Sequence, residues 1–211
     1  MTKEFQHLEN RIKEINLTFD TLLSSVDPLD QGVPKYQDII KSYILLCHAE
    51  FEQYFEDVSK SVITQSMELY NTKQEIAKPL LYLVLMSDKS FSKDSEKSSN
   101  EDKPINYSNI VLPENRLKKI YSNYHSLLSQ NHGIKKDNLF KMLTPIGVDT
   151  LSLPETYIDQ MESFGKKRGA IAHNGVQAIS TNYNYSNEQK QIKILLDDTL
   201  KSVDSVLEHI I

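Results

Sequence analysis

"YQDIIKSYILLCHAEFEQYFEDVSKSVITQSMELY", residues 36–70, decides the fold. Ile40, Ile44, Cys47, Phe51, Tyr54, Val58 and Val62 recur there at spacings of three and four. That keeps one apolar face in register for about six turns of α-helix. The stretch contains no Gly or Pro to interrupt it. A helix this long cannot be stable on propensity alone and needs partners along its face. The rest of the chain is therefore read as what covers it.

On the N-terminal side, residues 4–24 form a second amphipathic helix, with Phe5, Leu8, Ile12, Ile15, Phe19 and Leu22 as its stripe. "DPLDQGVPK", residues 27–35, breaks the two apart. On the C-terminal side a shorter helix is expected over 74–86, starting or kinking at Pro79. Residues 87–109 are rich in Ser, Lys, Asp and Glu and read as a long polar loop, with an extended segment near 110–112. Pro113-Glu114 opens a helix to about Ser129. Asp137 is expected to cap a short helix through Leu143, and Gly147 to end that unit. Pro154 opens the next helix, whose apolar residues are Tyr157, Ile158, Met161, Phe164, Ile171 and Ala172, with Gly175 as its C-cap. Residues 180–187 are a polar loop in which Tyr183 and Tyr185 serve as anchors, with stacking on nucleic-acid bases as the other reading. Residues 187–211 form the last helix, with Ile192, Leu195, Leu196, Leu200, Val203, Val206, Leu207 and Ile210 facing inward. No strand pattern and no repeat is present. The predicted fold class is an all-α helical bundle in one domain spanning 1–211. Residues 1–30 are either its first helix or an N-terminal extension serving as a dimer arm.

Composition narrows the function. A net charge of −5 gives no global attraction for nucleic acid, so any such binding needs a local basic patch. The single cysteine, Cys47, allows no internal disulfide and no CxxC metal site, and reads as a core residue beside a flanking His48. His125 and His132 lack partners at zinc spacing, so no metal is expected. No Gly-rich phosphate loop or nucleophile elbow occurs, and no cofactor is expected. The N-terminus is charged throughout, unlike a signal peptide, and the longest apolar run, "LLYLVLM" at 80–86, is too short for a bilayer. A cytoplasmic protein without a membrane partner is the expectation.

The chemistry concentrates in "SFGKKRGAIAHNGVQ", residues 163–177. Lys166, Lys167 and Arg168 are consecutive cations, and His173-Asn174-Gly175 follow. Five residues of helix turn Arg168 and His173 about 140° apart. They either flank a groove or the helix ends between them. With Gly175 as C-cap, His173 would lie in the last turn, where the dipole favours its protonated form.

"RGAIAHN", residues 168–174, resembles the Arg-x4–6-His signature of the HEPN superfamily. "LLCHAEFEQYFEDV", residues 45–58, is similar to that family's early helix, with Glu52 at its acidic position. "SLLSQNHGIKKDNLFKMLTPIGVD", residues 126–149, resembles the RiboL-PSP branch. Together they span 36–175. Gly169 departs from the pattern, since many active members carry Asn or Asp directly after the Arg. The resemblance implies a HEPN-type helical bundle and a metal-independent endoribonuclease, acting as a toxin or antiviral defence effector. Two protomers would form a composite cleft, and an antitoxin or defence-system protein would be a further partner. It implies Arg168 and His173 as catalytic residues and Glu52 in support. His titrates near neutrality and can move protons, whereas Arg holds its charge and grips phosphate. Lys166 and Lys167 then read as a phosphate funnel and Asn174 as a substrate contact. A non-catalytic dimerisation or interaction module is the alternative.

Overall fold

The computed structural model describes residues 1–91, 113–151, 153–178 and 182–210; the side chains of residues 28, 88–91 and 173–178 lie outside that description. No strand occurs among the described residues.

Helix α1 runs Lys3–Leu23, capped by the Thr2 hydroxyl, which accepts from Phe5 N at 3.1 Å. Phe5, Leu8, Ile12, Ile15 and Phe19 are buried as expected, so residues 3–23 are part of the bundle core. Leu23 supplies the last inward position; Leu22 is exposed, contrary to expectation. A short 3-10 turn, Pro28–Gly32, makes the break.

Helix α2, Pro34–Lys73, starts on a proline at its first turn and ends at Gln74 in the left-handed conformation. All seven members of the predicted stripe are buried. Tyr43, His48, Phe55, Ser59, Ile63 and Ser66 are buried as well, because α2 is the central strut. It packs against α1, α3, α4, α5, α6 and α7. His48 is therefore a core residue and not a flanking one.

Helix α3, Lys78–Phe91, begins one residue before Pro79 and continues past Met86, so the first part of the segment assigned to a polar loop is helical. The rest of that loop, and the extended segment near 110–112, lie outside the described residues. Helix α4 is Glu114–Ser129 and helix α5 is Lys136–Leu143. The residue at the N-cap of α5 is Lys135, which makes no side-chain cap; Asp137 sits inside the first turn. A 3-10 turn ends at Gly147, whose φ of 84° is favourable for glycine.

Helix α6, Glu155–Ala178, follows Pro154 and buries Ile158, Met161, Phe164 and Ile171. Ala172 is exposed. The helix does not stop at Gly175 but runs to Ala178. Helix α7, Tyr185–Ile194, is capped by Asn184, passes into a π turn over Leu195–Leu200 and continues as α8, Lys201–Glu208. The wider π turn lets the consecutive Leu195 and Leu196 both face the core. Val206 is exposed, unlike its predicted neighbours.

Candidate nucleic-acid site

The core stripe of α6 sets the site. Met161, Phe164 and Ile171 face α2, and Arg168 lies between them at the next inward position, four residues after Phe164. Phe164 packs on Phe51 and His48 of α2, with ring centroids 5.6 and 5.7 Å apart. Arg168 is thus held half-buried at the α2–α6 seam. Among the described residues it makes no ion pair and no hydrogen bond.

Beneath it lies an acid–histidine pair. His48 Nδ1 is 3.6 Å from Glu52 Oε2, one helical turn on. The other oxygen, Oε1, accepts from Gly133 N at 2.6 Å. Glu52 therefore ties the loop between α4 and α5 to the central helix, and it does not pair with Arg168. His48 is 1% exposed and its Nε2 has no hydrogen-bond partner. Burial, with Arg168 and then Lys135 adding repulsion, holds its imidazolium form down to a pKa of about 4. At neutral pH the ring is uncharged.

That shift has a measurable consequence. Below pH 6.5 the unfolded chain takes up a proton that folded His48 refuses. Stability should therefore fall by about 3 kcal/mol as the pH drops from about 6.5 to about 4. His48→Asn should flatten this part of a urea-denaturation pH profile; an unchanged slope would place the loss in other groups.

The remaining predicted residues are dispersed. Lys166 is 66% exposed and reaches back to Glu162 at 3.2 Å. Lys167 turns the other way: its Nζ donates to Glu188 Oε2 at 2.7 Å and to Gln191 Oε1, and lies 5.7 Å from the Tyr183 ring. It joins α6 to α7. Tyr185 is buried against Tyr43 and donates to Asp20 at 2.9 Å, and the Tyr183 backbone N–H donates to Gln37, so both tyrosines anchor the chain. The side chains of His173 and Asn174 lie outside the described residues. Their backbone is helical, and helical register puts position 173 on the face of Glu162, Lys166 and Gly169, about 140° from Arg168. Since α6 continues to Ala178, His173 is not in the last turn, and the dipole argument for its protonation does not apply there.

Gly169 has open space around it: a Cβ would meet nothing within 4 Å. Gly169→Ala should raise stability by about 0.5–1 kcal/mol in chemical denaturation, the ordinary gain for replacing an interior helical glycine. A loss would mean that this position is packed against something.

Cys47 carries no nucleophilic role, because burial pushes its thiol up to about 12. Sequence reasoning missed Lys135 and His48. For His48 a signal was present, since it lies one helical turn before Glu52; for Lys135 there was none, because its approach to Gly165 arises only in the packed fold.

The described residues form an all-α bundle, the fold class of HEPN proteins. The chain belongs to the RiboL-PSP-HEPN family, whose model matches residues 6–209. HEPN domains have RNase-type or nucleotide-binding functions. No curated protein and no solved structure matches the chain. No described helix is long and apolar enough to cross a membrane.

Proposed function

We propose that the protein is a metal-independent endoribonuclease acting as a toxin or defence effector. The observation that carries this is Arg168: half-buried and without a carboxylate partner among the described residues, five positions before His173 in a HEPN chain. A half-buried guanidinium with no counter-ion keeps its donors available for an anion. A phosphodiester accepts from them in bidentate fashion.

In the reaction the ribose 2′-oxygen bonds to phosphorus while the bond from phosphorus to the 5′-oxygen breaks. One base removes the 2′-hydroxyl proton and one acid protonates the leaving oxygen. Arg168 carries the charge that develops on the phosphoryl oxygens. The products are a 2′,3′-cyclic phosphate and a 5′-hydroxyl, with no redox change. His48 is too buried to exchange protons with RNA, and the proton-transfer role is assigned to His173 of the Arg–His motif. One His per chain cannot be acid and base at once, and position 173 faces away from Arg168 on the same helix. Two copies of the chain supply two His173, so the working species is a homodimer with a composite cleft.

Expressing the wild-type chain in a bacterial host should arrest growth and fragment cellular RNA, and His173→Ala should relieve both. Normal growth with intact RNA in both strains would overturn the toxin reading and favour a non-catalytic dimerisation or interaction module.

A further inference from the structure

We propose that Lys135, which lies outside the Arg–His motif, pairs with Arg168 to form the phosphate-binding site, the two cations gripping one phosphate of a single-stranded RNA. The identity of the ligand rests on the ribonuclease reading above; the site itself rests on geometry. Lys135 sits at the N-cap of α5 and lies directly on α6 at Gly165, three residues before Arg168. A Cβ on Gly165 would be 2.7 Å from Lys135 Cγ and 3.5 Å from its backbone nitrogen. With glycine there, the Lys135 stem lies directly on the helix, where a Cβ would push it aside.

The loop is pinned from the other side. Gly133, with φ of 128°, donates to Glu52; the Asn131 amide donates to Gly133 O at 3.0 Å; Asn138 donates to Asn131 Oδ1 at 2.9 Å; and Ile134 is fully buried. Lys135 is therefore carried on a built platform. Both cations are half-buried, both act on His48, and neither side chain has a hydrogen bond or ion pair among the described residues. The carboxylates nearby are already engaged. Glu52 is held by Gly133 and His48, while Glu162 accepts from Lys136 N at 3.0 Å and pairs with Lys166. His48 Nε2, buried and without a partner, is a third unsatisfied polar group at the same junction. Both cations thus lie close enough to His48 to act on it, and a phosphate placed between them would be met by Arg as a planar fork and by Lys as a point charge. The consecutive Lys166 and Lys167 do not form this grip, since Lys166 is solvated and Lys167 is committed to Glu188.

The test uses the full chain carrying His173→Ala, which blocks turnover, with a labelled single-stranded RNA, AMP and pyrophosphate as probes across a salt series. Adding Lys135→Ala should weaken RNA binding about tenfold, as for one charge-assisted contact, and reduce the salt slope by about 0.7, the value for one lost phosphate on a single strand. Lys135→Arg should retain most of the binding, and Lys13→Ala on α1 should leave the slope unchanged. Pyrophosphate should compete with RNA. A salt slope unchanged by Lys135→Ala overturns the proposal, as does failure of all three probes to bind. Binding of AMP but not RNA, lost in Lys135→Ala, overturns RNA as the ligand. RNA binding that depends on Lys135 with no cleavage by the wild-type chain supports the site while removing the ribonuclease reading.

Discussion

Replacing His173 by alanine is expected to lower the rate of RNA cleavage by about 10²- to 10⁴-fold, the range that general acid–base groups supply. The loss should fall on kcat with KM little changed, because a proton-transfer group contributes in the transition state and not to ground-state binding. Arg168→Ala should behave differently. Its guanidinium meets the phosphate before reaction and the developing charge during it, so KM rises and kcat falls together. The wild-type profile of kcat/KM against pH should be bell-shaped, with one His173 required neutral and the other protonated. Mixing wild-type with excess His173→Ala chains probes the composite cleft: because a dimer needs both His173 side chains, activity should fall more steeply than the wild-type fraction, whereas a proportional fall would mean that each chain works alone. A His173→Ala variant with unchanged kcat would remove His173 from the chemistry.

The largest effect on stability is expected at Lys167. Its ammonium is mostly buried and neutralises Glu188, whose side chain is only 8% exposed. Lys167→Ala strands that carboxylate in the interior, a change that costs about 3–5 kcal/mol when a buried pair is broken from one side. For a chain of this size the midpoint of thermal unfolding should drop by roughly 10 °C. Lys167→Met combined with Glu188→Leu should recover most of the loss, since apolar residues of similar volume can replace a buried ion pair. Lys166→Ala, on the solvated face, should stay within about 0.5 kcal/mol of wild type. A Lys167→Ala chain that melts normally but loses a unit of salt slope for RNA would return Lys167 to the phosphate funnel.

These contrasts show what could be read from sequence. The apolar stripe from Ile40 to Val62 is a helical signal that tertiary context does not overturn, and every member is buried. The same periodicity does not reveal how many neighbours a helix has. His48 falls off the stripe and was expected on the flank; it is buried because α2 is enclosed on several sides. Helix ends were read less well. Gly175 has the chemistry of a C-cap, yet α6 continues to Ala178. Leu22 was expected inward where Leu23 is the buried residue, and Val206 was expected inward beside Leu207, which alone of the two is buried; each lies about 100° of helical turn from the buried neighbour.

At the site, the turn of about 140° between Arg168 and His173 was legible; that Arg168 falls on the inward face with Met161, Phe164 and Ile171 was not read from their spacing, which left a groove or a helix end as alternatives. The approach of Lys135 was not legible either. It depends on two glycines, Gly133 and Gly165, separated by 32 positions in the chain and brought together only by the packing of α5 against α6. Likewise the partner of Lys167 is Glu188, on a helix the sequence gives no means of aligning with α6.

The chemistry of the RNA ends tests the central claim most directly. Purified wild-type chain should cleave RNA in the presence of EDTA and leave 2′,3′-cyclic phosphate and 5′-hydroxyl ends, because the nucleophile is the substrate's own 2′-hydroxyl. Cleavage that stops in EDTA and leaves 5′-phosphate and 3′-hydroxyl ends would mean that metal-activated water is the nucleophile, and would contradict the roles given to Arg168 and His173.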